Sequence, residues 1–283
     1  MGTPTDAIAA APMAELERLA RRASRIVALT GAGCSTDSGI PDYRDDAGAW
    51  KRKPPVFFAD FVGRDDTRCR YWARSLAGWP SFSRALPNRA HEALARLEAV
   101  GRVHHLITQN VDGLHQRAGS VRVTDLHGRL DTVECLSCRA REDREAFQRR
   151  LLDANPSRAS RAAASAPDGD ADLEETDFRS FTVPECRSCR GVMKPSVVFF
   201  GEAVPAARVA ESYARVAEAD LVLVAGTSLE IFSGRRFVSA AAERGVPVAI
   251  VNRGVTRADG LAAIRVVGSV GDVLAELATR FGA

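Results

Sequence analysis

Residues 26–44 read IVALTGAGCSTDSGIPDYR, and this stretch predicts the fold of the chain. Its first part, Ile26–Leu29, is apolar and partly β-branched, as expected for a strand buried on both faces of a parallel sheet. A glycine turn follows directly, in which Gly31 and Gly33 allow positive φ and close backbone approach, and later N–H groups can point at an anion. The turn suits a pyrophosphate, although it is not the full G-x-G-x-x-G fingerprint and an ordinary turn is the alternative.

The length and charge of the chain exclude some classes of protein. A chain of 283 residues can hold one large domain or two of moderate size, and its formal net charge is only +3. That charge does not favour direct nucleic-acid binding through bulk electrostatics. No apolar run approaches the roughly 18 residues of a membrane span, and the N-terminus does not resemble a signal peptide. Together with the abundance of arginine and alanine, these features favour a bacterial cytoplasmic protein without membrane contact.

Strand-like runs alternate with segments of helical periodicity. This alternation predicts an α/β fold with a Rossmann-like, doubly wound parallel sheet. Ligands of such sheets bind beyond the carboxyl ends of the strands, so the polar tips TQN (108–110), GTS (226–228) and NRG (252–254) should converge on one site. The strands are predicted at Ile26–Leu29, Val103–Thr108, Leu221–Ala225 and Val246–Asn252, and helices at His91–Val100 and Ala207–Ala217.

Two segments interrupt the alternation. The first, at about 45–90, carries most of the aromatic residues and is predicted to be a helical insertion whose rings pack in a core. The second, at about 129–195, contains two cysteine pairs around a stretch rich in Ala, Ser and Asp. The expected organisation is a discontinuous sheet domain at 13–45, 91–128 and 196–283, with a smaller domain made of the insertion 46–90 and the cysteine module 129–195.

The two cysteine pairs have the spacing of metal knuckles. Each C-x-x-C pair offers two thiolates from one turn, and four cysteines without a nearby histidine indicate a closed, structural zinc site. Free or redox-active thiols are the alternative, but in an unsecreted chain paired cysteines favour metal over disulfides. The predicted zinc ligands are Cys135, Cys138, Cys186 and Cys189.

Two further motifs contain candidate catalytic residues. TQNVDGLH places Asn110 and Asp112 just past a predicted strand, where an amide and a carboxylate can bind ribose hydroxyls and a carboxamide. Asp112 could equally cap the following helix. His127 lies directly before a glycine, and an imidazole suits general base catalysis near neutral pH, although a lone histidine is usually structural.

Taken together, these motifs resemble the sirtuin family of NAD-dependent protein deacylases. The likeness runs from about residue 13 to residue 280, with all motifs in the family's order. It rests on GAGCSTDSGIPDYR (31–44), TQNVDGLH (108–115), LHG (126–128), the two cysteine pairs, KPSVVFFGE (194–202), GTS (226–228) and VNRG (251–254).

The resemblance implies a role for each matching position. His127 would be the general base that acts on a ribose hydroxyl of NAD, with Asn110 and Asp112 as further catalytic residues, and the acyl group of acyl-lysine would pass to ADP-ribose with release of nicotinamide. An acyl-lysine peptide would pair with the loop formed by Val198, Phe199, Phe200, Gly201 and Glu202. The implied NAD-binding residues are Gly31, Ala32, Gly33, Ser35, Thr36, Asp42, Tyr43, Arg44, Gln109, Asn110, Val111, Asp112, Gly226, Thr227, Ser228, Asn252, Arg253, Gly254 and Val270.

Residues 70–80 resemble the class II branch, which contains the fourth human mitochondrial sirtuin. That resemblance implies lipoyl, long-chain or branched acyl groups as substrates besides acetyl, with protein ADP-ribosyl transfer as the alternative activity. Tyr71 and Arg74 also resemble the Tyr-x-x-Arg pair with which class III desuccinylases hold an acidic acyl group. The other interpretation is that Tyr71 packs in the core and Arg74 is solvated.

Two functions from other classes compete with this interpretation. An NAD-dependent dehydrogenase would use a similar sheet, but the chain lacks G-x-G-x-x-G with a downstream ribose-binding acid. A non-catalytic zinc ribbon that binds nucleic acid would need a basic stripe with interleaved aromatic residues, which Arg187 and Arg190 do not form. The sequence does not indicate an oligomeric state.

Overall fold

The computed structural model describes residues 9–43, 45, 49, 51, 55–158, 169 and 178–283. Its strands are β1 (Ile26–Thr30), β2 (Val103–Thr108), β3 (Val123–Asp125), β4 (Gly128–Cys135), β5 (Arg141–Asp143), β6 (Met193–Val197), β7 (Leu221–Ala225), β8 (Val248–Val251) and β9 (Ile264–Val266). Its helices are α1 (Ala10–Arg22), α2 (Phe58–Gly63), α3 (Asp65–Ser83), α4 (Arg89–Ala99), α5 (Leu114–Arg117), α6 (Arg144–Ala154), α7 (Ala206–Glu218), α8 (Phe232–Glu243) and α9 (Val270–Arg280).

A parallel sheet of six strands confirms the predicted fold class. The strand order is β3-β2-β1-β7-β8-β9, and every neighbouring pair is parallel. The chain builds the sheet outward from β1 in one direction and then outward from β7 in the other. This is the strand order of dinucleotide-binding sheets, in which the crevice for a ligand opens where the order reverses. Here that point lies between the carboxyl ends of β1 and β7.

Alternate residues of the central strands pack against two helical layers. In β1, Ile26 and Ala28 join one buried cluster with α1, α4 and α9, whereas Val27 and Leu29 join a second cluster with α7 and α8. All five residues of β1 are buried. A strand covered on both faces has no polar side, which explains why the sequence shows a continuous apolar run there.

The smaller domain has its own core, shared by the helical insertion and the cysteine module. Strands β5, β4 and β6 form an antiparallel sheet in that order. Against it pack aromatic side chains of α2, α3 and α6, and the expectation that the aromatic residues of the insertion form a core is confirmed for the buried Phe61, Tyr71, Trp72, Trp79 and Phe82. Because Phe147 and Met193 belong to the same cluster, the two segments form one folding unit.

The predicted domain limits at 90–91 and 128–129 lie within the first residues of α4 (Arg89–Ala99) and β4 (Gly128–Cys135). Strand β6 runs across the limit expected at residues 195–196, because Val197 still pairs with Gly128 of β4. Helix α1 begins at Ala10, slightly before the expected start of the sheet domain. No helix in the described part of the chain is both long enough and apolar enough to cross a bilayer.

Candidate active site

A cavity of about 320 Å³ opens at the carboxyl ends of the parallel strands, on the side that faces the smaller domain. A volume of this size falls in the range of small-molecule sites. Its walls come from the turns after β1, β2, β7 and β8 together with the segment 197–204. The polar strand tips that the sequence predicted to converge therefore do meet in one place.

The glycines of the first turn are required by contacts with the turn that follows β7. A Cβ on Gly31 would lie 2.6 Å from Cβ of Thr227, and a Cβ on Gly33 would lie 3.0 Å from the carbonyl oxygen of Gly226. The Gly33 N–H donates to that same carbonyl at 2.9 Å. Positive φ is not the reason for these two glycines, because Gly31 has φ −142° and Gly33 is not among the residues with positive φ.

Three side chains join the turns after β1 and β2. The Asn110 amide nitrogen donates to the Gly31 carbonyl and to the Ser35 hydroxyl, each at 3.0 Å. Ser35 in turn donates to Asp112 Oδ2 at 2.7 Å. The other carboxylate oxygen of Asp112 accepts the Leu114 N–H at 2.8 Å, so Asp112 both supports the next helical turn and lines the cavity.

His127 lies on the cavity wall with a defined tautomer. Its Nδ1 is 2.9 Å from the carbonyl oxygen of Gln109, and since that oxygen only accepts, Nδ1 carries the proton. The lone pair is therefore on Nε2, which lies 2.8 Å from the Ser233 hydroxyl. Burial lowers the pKa of His127 to about 4, partly offset by the Gln109 carbonyl. The imidazole is thus a neutral base with its acceptor nitrogen held beside the cavity.

The segment after β6 forms another wall, and it is hydrogen-bonded to His127, the residue before β4. The Val198 N–H donates to the His127 carbonyl at 2.8 Å. This approach requires Gly128, which has φ +84° and whose Cβ would lie 2.1 Å from the Ser196 carbonyl oxygen. An ion pair of 2.9 Å between the buried Lys194 and the partly exposed Glu202 closes the segment on itself.

The structure brings most of the predicted NAD-binding and peptide-binding positions to this cavity. Those that line it are Ala32, Gly33, Ser35, Asp42, Tyr43, Gln109, Asn110, Val111, Asp112, Gly226, Thr227, Ser228, Asn252, Gly254, Val198, Phe199, Phe200, Gly201 and Glu202. Gly31, Thr36, Arg253 and Val270 do not line it. Val270 begins α9 and is buried in the core against that helix layer. Arg44 lies outside the described residues.

The four predicted zinc ligands lie together in the smaller domain. Their sulfur atoms are all within 4.8 Å of one another, with Cys135 and Cys189 at 3.5 Å and Cys138 and Cys186 at 3.6 Å. Sulfurs bound tetrahedrally to zinc at about 2.3 Å would be about 3.8 Å apart, so the cluster fits this ion.

The two cysteine turns also repeat the same backbone geometry. In each, the residue after the second cysteine has positive φ, 63° at Arg139 and 60° at Arg190. Its N–H donates to the carbonyl of the first cysteine, at 3.0 Å and 2.9 Å respectively. N–H groups of the turns, those of Cys138 and Cys189 foremost, lower the pKa of the Cys135 thiol to about 6 and that of Cys186 as well. Against the lowering effect of the Gly191 N–H, the neighbouring cysteines raise the pKa of Cys189 to about 12, and a bound metal ion would deprotonate all four thiols. Four thiolates leave no open position, so the zinc site is structural.

Comparison with known proteins identifies the family. The sequence profile of the Sir2 family matches residues 31–233. An NAD-dependent protein deacetylase of Xanthomonas axonopodis pv. citri is 56% identical over 262 residues, which cover 93% of this chain and 89% of that protein. The chain belongs to the Sir2 family, the sirtuins.

Other relatives agree with this assignment. The NAD-dependent protein deacetylase 1 of Streptomyces coelicolor is 48% identical to this sirtuin over 272 residues, which cover 96% of the chain and 90% of the relative. A solved structure described as Sir2 with a p53 peptide and NAD+ superimposes with a TM-score of 0.78 at 29% identity, covering 95% of this chain and 98% of the other.

Several wall residues of this sirtuin were not predicted from the sequence. The most informative is Ser233, in the first turn of α8, because its hydroxyl contacts the His127 ring. Its position in the turn after a polar strand tip was the available signal, since helices that follow such tips begin at the same edge of the sheet. The remaining unpredicted wall residues are Ile40, Asp45, Pro55, Val56, Val197, Val204, Glu230, Ile231 and Val255.

Of the pair Tyr71 and Arg74, only Tyr71 lines the cavity. Tyr71 is buried, packs edge-on against Phe61 at a ring-centroid distance of 5.4 Å, and reaches the cavity wall. Arg74 does not line the cavity. The two side chains therefore do not face the sirtuin cavity as a pair.

Proposed function

We propose that this protein is an NAD-dependent protein deacetylase that transfers the acyl group of acyl-lysine to ADP-ribose. The observation that carries the proposal is the placement of His127, whose neutral imidazole presents Nε2 beside a cavity formed by the strand tips. Relatives 56% identical to this chain bear the name NAD-dependent protein deacetylase, and their alignments cover 93% and 89% of it. Bound NAD would supply the ADP-ribose acceptor and release nicotinamide.

Different walls of the cavity would bind NAD, supply the base and bind the peptide substrate. The glycine turn and the tips after β7 and β8 would hold NAD, with Ser35, Asn110 and Asp112 near its reactive ribose. His127 would accept a proton from a ribose hydroxyl at Nε2, a step for which a base with a low pKa remains available at neutral pH. The Val198–Glu202 segment would pair with the substrate backbone in the manner of an added strand.

The acyl group need not be acetyl. Five residues that line the cavity belong to the hydrophobic core of the smaller domain or pack against it, namely Ile40, Val56, Tyr71, Val197 and Phe199. An apolar wall favours neutral chains over charged ones, because burying an unpaired carboxylate is costly. We therefore propose that lipoyl or other long or branched acyl groups are accepted, in line with a class II assignment.

Two alternatives have less support. Acidic acyl groups would need a cation at the wall, and Arg74 does not line the cavity. Protein ADP-ribosyl transfer is not favoured, because the relatives are named deacetylases and the chain keeps both the base and the peptide-binding segment. Relatives of this chain come from Xanthomonas, Bordetella, Bradyrhizobium and Streptomyces, and we propose a bacterial cytoplasmic location. We also propose the domain division given by the sequence.

Product analysis by mass spectrometry tests the proposal. The zinc-loaded protein is incubated with NAD and separate acetyl-, lipoyl-, long-chain, succinyl- and glutaryl-lysine peptides, with His127→Ala as the matched control. We expect O-acyl-ADP-ribose and free lysine from neutral acyl peptides, with a loss of about 10²–10⁴-fold in the control. Transfer of ADP-ribose to protein without any acyl-ADP-ribose would contradict the proposal, and so would full turnover by His127→Ala.

A further inference from the structure

Ser233 is hydrogen-bonded to His127 Nε2, the nitrogen with which the general base would accept a proton. The hydroxyl is 2.8 Å from His127 Nε2, while Nδ1–H is already committed to the Gln109 carbonyl at 2.9 Å. Because Nε2 has the lone pair, Ser233 must be the donor in this bond. The imidazole is thus held at both ends, on one side by the main chain of the β2 tip and on the other by α8.

The fold brings Ser233 to this position through a close helix-to-loop approach. Gly234 follows it in α8, and a Cβ there would lie 2.8 Å from the carboxamide carbon of Gln109. The segment before the helix is also constrained: Leu229 has φ +55°, and the Ser228 carbonyl accepts the Arg257 N–H at 2.9 Å. A side chain larger than hydrogen at position 234 would have to displace the Gln109 carboxamide, which donates to the Thr227 hydroxyl at 3.1 Å.

A hydroxyl suits both protonation states of the base. It donates to Nε2 while the ring is neutral, and it can rotate and accept from Nε2–H once the ring has taken a proton. Ser233 also lines the cavity, so it lies where the ribose of a bound dinucleotide would approach the ring. Because Nε2 has a single lone pair, Ser233 gives way while the ribose hydroxyl donates its proton, and a side chain that only donates could not bond to the ring again afterwards.

We propose that Ser233 is a positioning residue for the general base: it fixes the His127 ring and keeps Nε2 hydrogen-bonded before and after proton transfer. This inference rests on the proposed function. The proposed role affects only the step in which His127 accepts a proton. This distinguishes Ser233 from residues that only bind NAD.

The variants are Ser233→Ala, which removes the hydroxyl, and Ser233→Thr, which keeps it. Ser239→Ala on the same helix is the matched control, because Ser239 does not line the cavity. Single-turnover experiments measure nicotinamide release and acyl-ADP-ribose formation separately. For Ser233→Ala we expect acyl-ADP-ribose formation to slow about two- to tenfold, the range for loss of one neutral hydrogen bond, with nicotinamide release unchanged. Ser233→Thr should restore the rate, and Ser239→Ala should leave both steps unaffected.

A spectroscopic measurement gives a readout that does not depend on turnover. Nitrogen-15 NMR of histidine-labelled protein without substrates reports the five imidazoles, and His127→Ala identifies the resonances of interest. Ser233→Ala should shift the Nε2 resonance toward that of a nitrogen without a donor and leave Nδ1 protonated, and Ser233→Thr should reverse the shift. An unchanged Nε2 resonance would overturn the proposal, as would an equal fall in nicotinamide release. Wild-type protein that makes no acyl-ADP-ribose would refute the proposed function, while the NMR result would still decide the contact.

Discussion

Replacing Gly226 by alanine should damage both stability and NAD binding, because this residue forms the contact between the two glycine turns. It has φ +64°, and a Cβ there would lie 2.4 Å from the Cys34 nitrogen and 2.7 Å from the Gly33 carbonyl carbon. Both neighbours are main-chain atoms, so no side-chain rotation relieves the clash. Gly245, in the turn after α8, provides a matched control: it has φ +72°, but a Cβ there would meet no atom within 4 Å.

Two contributions lower the stability of Gly226→Ala, namely backbone strain and a steric clash, and the Gly245→Ala control separates them. Left-handed backbone costs a non-glycine residue about 1–2 kcal/mol, and this cost applies to both variants. Forcing an extra carbon into a packed site costs about 1–3 kcal/mol more, and this cost applies only to Gly226→Ala. We therefore expect the free energy of unfolding to fall by about 2–5 kcal/mol for Gly226→Ala and by about 1–2 kcal/mol for Gly245→Ala.

Denaturant unfolding of the zinc-loaded protein and NAD titration of the folded protein measure these effects. The clash must be relieved by moving the turn at 31–34, so NAD affinity should weaken at least about tenfold, which corresponds to about 1.4 kcal/mol, in Gly226→Ala. Gly245→Ala should bind NAD as the wild type does. Equal stability losses in the two variants, or unchanged NAD affinity in Gly226→Ala, would show that the turns are not coupled by this contact.

Three further predictions concern the base, the zinc and the substrate segment. Burial lowers the pKa of His127 to about 4, so the imidazole stays neutral between about pH 7.5 and 6. Initial rates of deacylation measured over this range should therefore not decrease with the titration of an ordinary histidine, whose pKa is about 6.5. Removal of zinc by a chelator should release one zinc per chain, measured by metal analysis, and unfold the smaller domain, measured by near-ultraviolet circular dichroism. A native spectrum after complete zinc loss would contradict a structural role. Lys194 donates to the Val197 carbonyl at 2.5 Å and pairs with Glu202, whose carboxylate accepts the Phe199 N–H at 2.8 Å. Lys194→Met leaves that partly exposed carboxylate without its cation, so stability should fall by about 1–3 kcal/mol, and the KM for peptide should rise more than the KM for NAD.

The sequence predicted the strands that are buried along nearly their whole length and the cysteine pairs whose spacing is typical of metal ligands. Strands β1, β2, β7 and β8 lie in the interior of the sheet and appear in the sequence as apolar runs. The cysteine pairs are recognisable from the C-x-x-C spacing alone. Strands β3 and β9 were missed because each is three residues long and lies at an edge, where only part of the strand is buried. Such short, mixed segments have no period that distinguishes them from loops.

Contacts between distant segments were harder to predict than the segments themselves. Ser233 is 106 residues from His127 in sequence, and nothing in the motif around either residue indicates that they meet. The pairing depends on how closely α8 approaches the tip of β2, where Gly234 lies against the Gln109 side chain. A motif can therefore identify the base, but the hydroxyl that holds the base follows only from the packing of one helix.

The glycines of the site show why this distinction matters for mechanism. The sequence explained Gly31 and Gly33 by the approach of a pyrophosphate, yet in the structure their missing side chains make room for Thr227 and Gly226 of the neighbouring turn. Gly128 likewise makes room for the Ser196 carbonyl, and Gly234 for Gln109. Each of these contacts sets a distance between two walls of the cavity. Since general base catalysis requires hydrogen-bond reach between base and hydroxyl, a shift of about 1 Å in any wall would remove that reach. The glycines thus act on the chemistry by fixing the spacing of protein segments, and their substitution should impair the reaction even where no substrate atom contacts them.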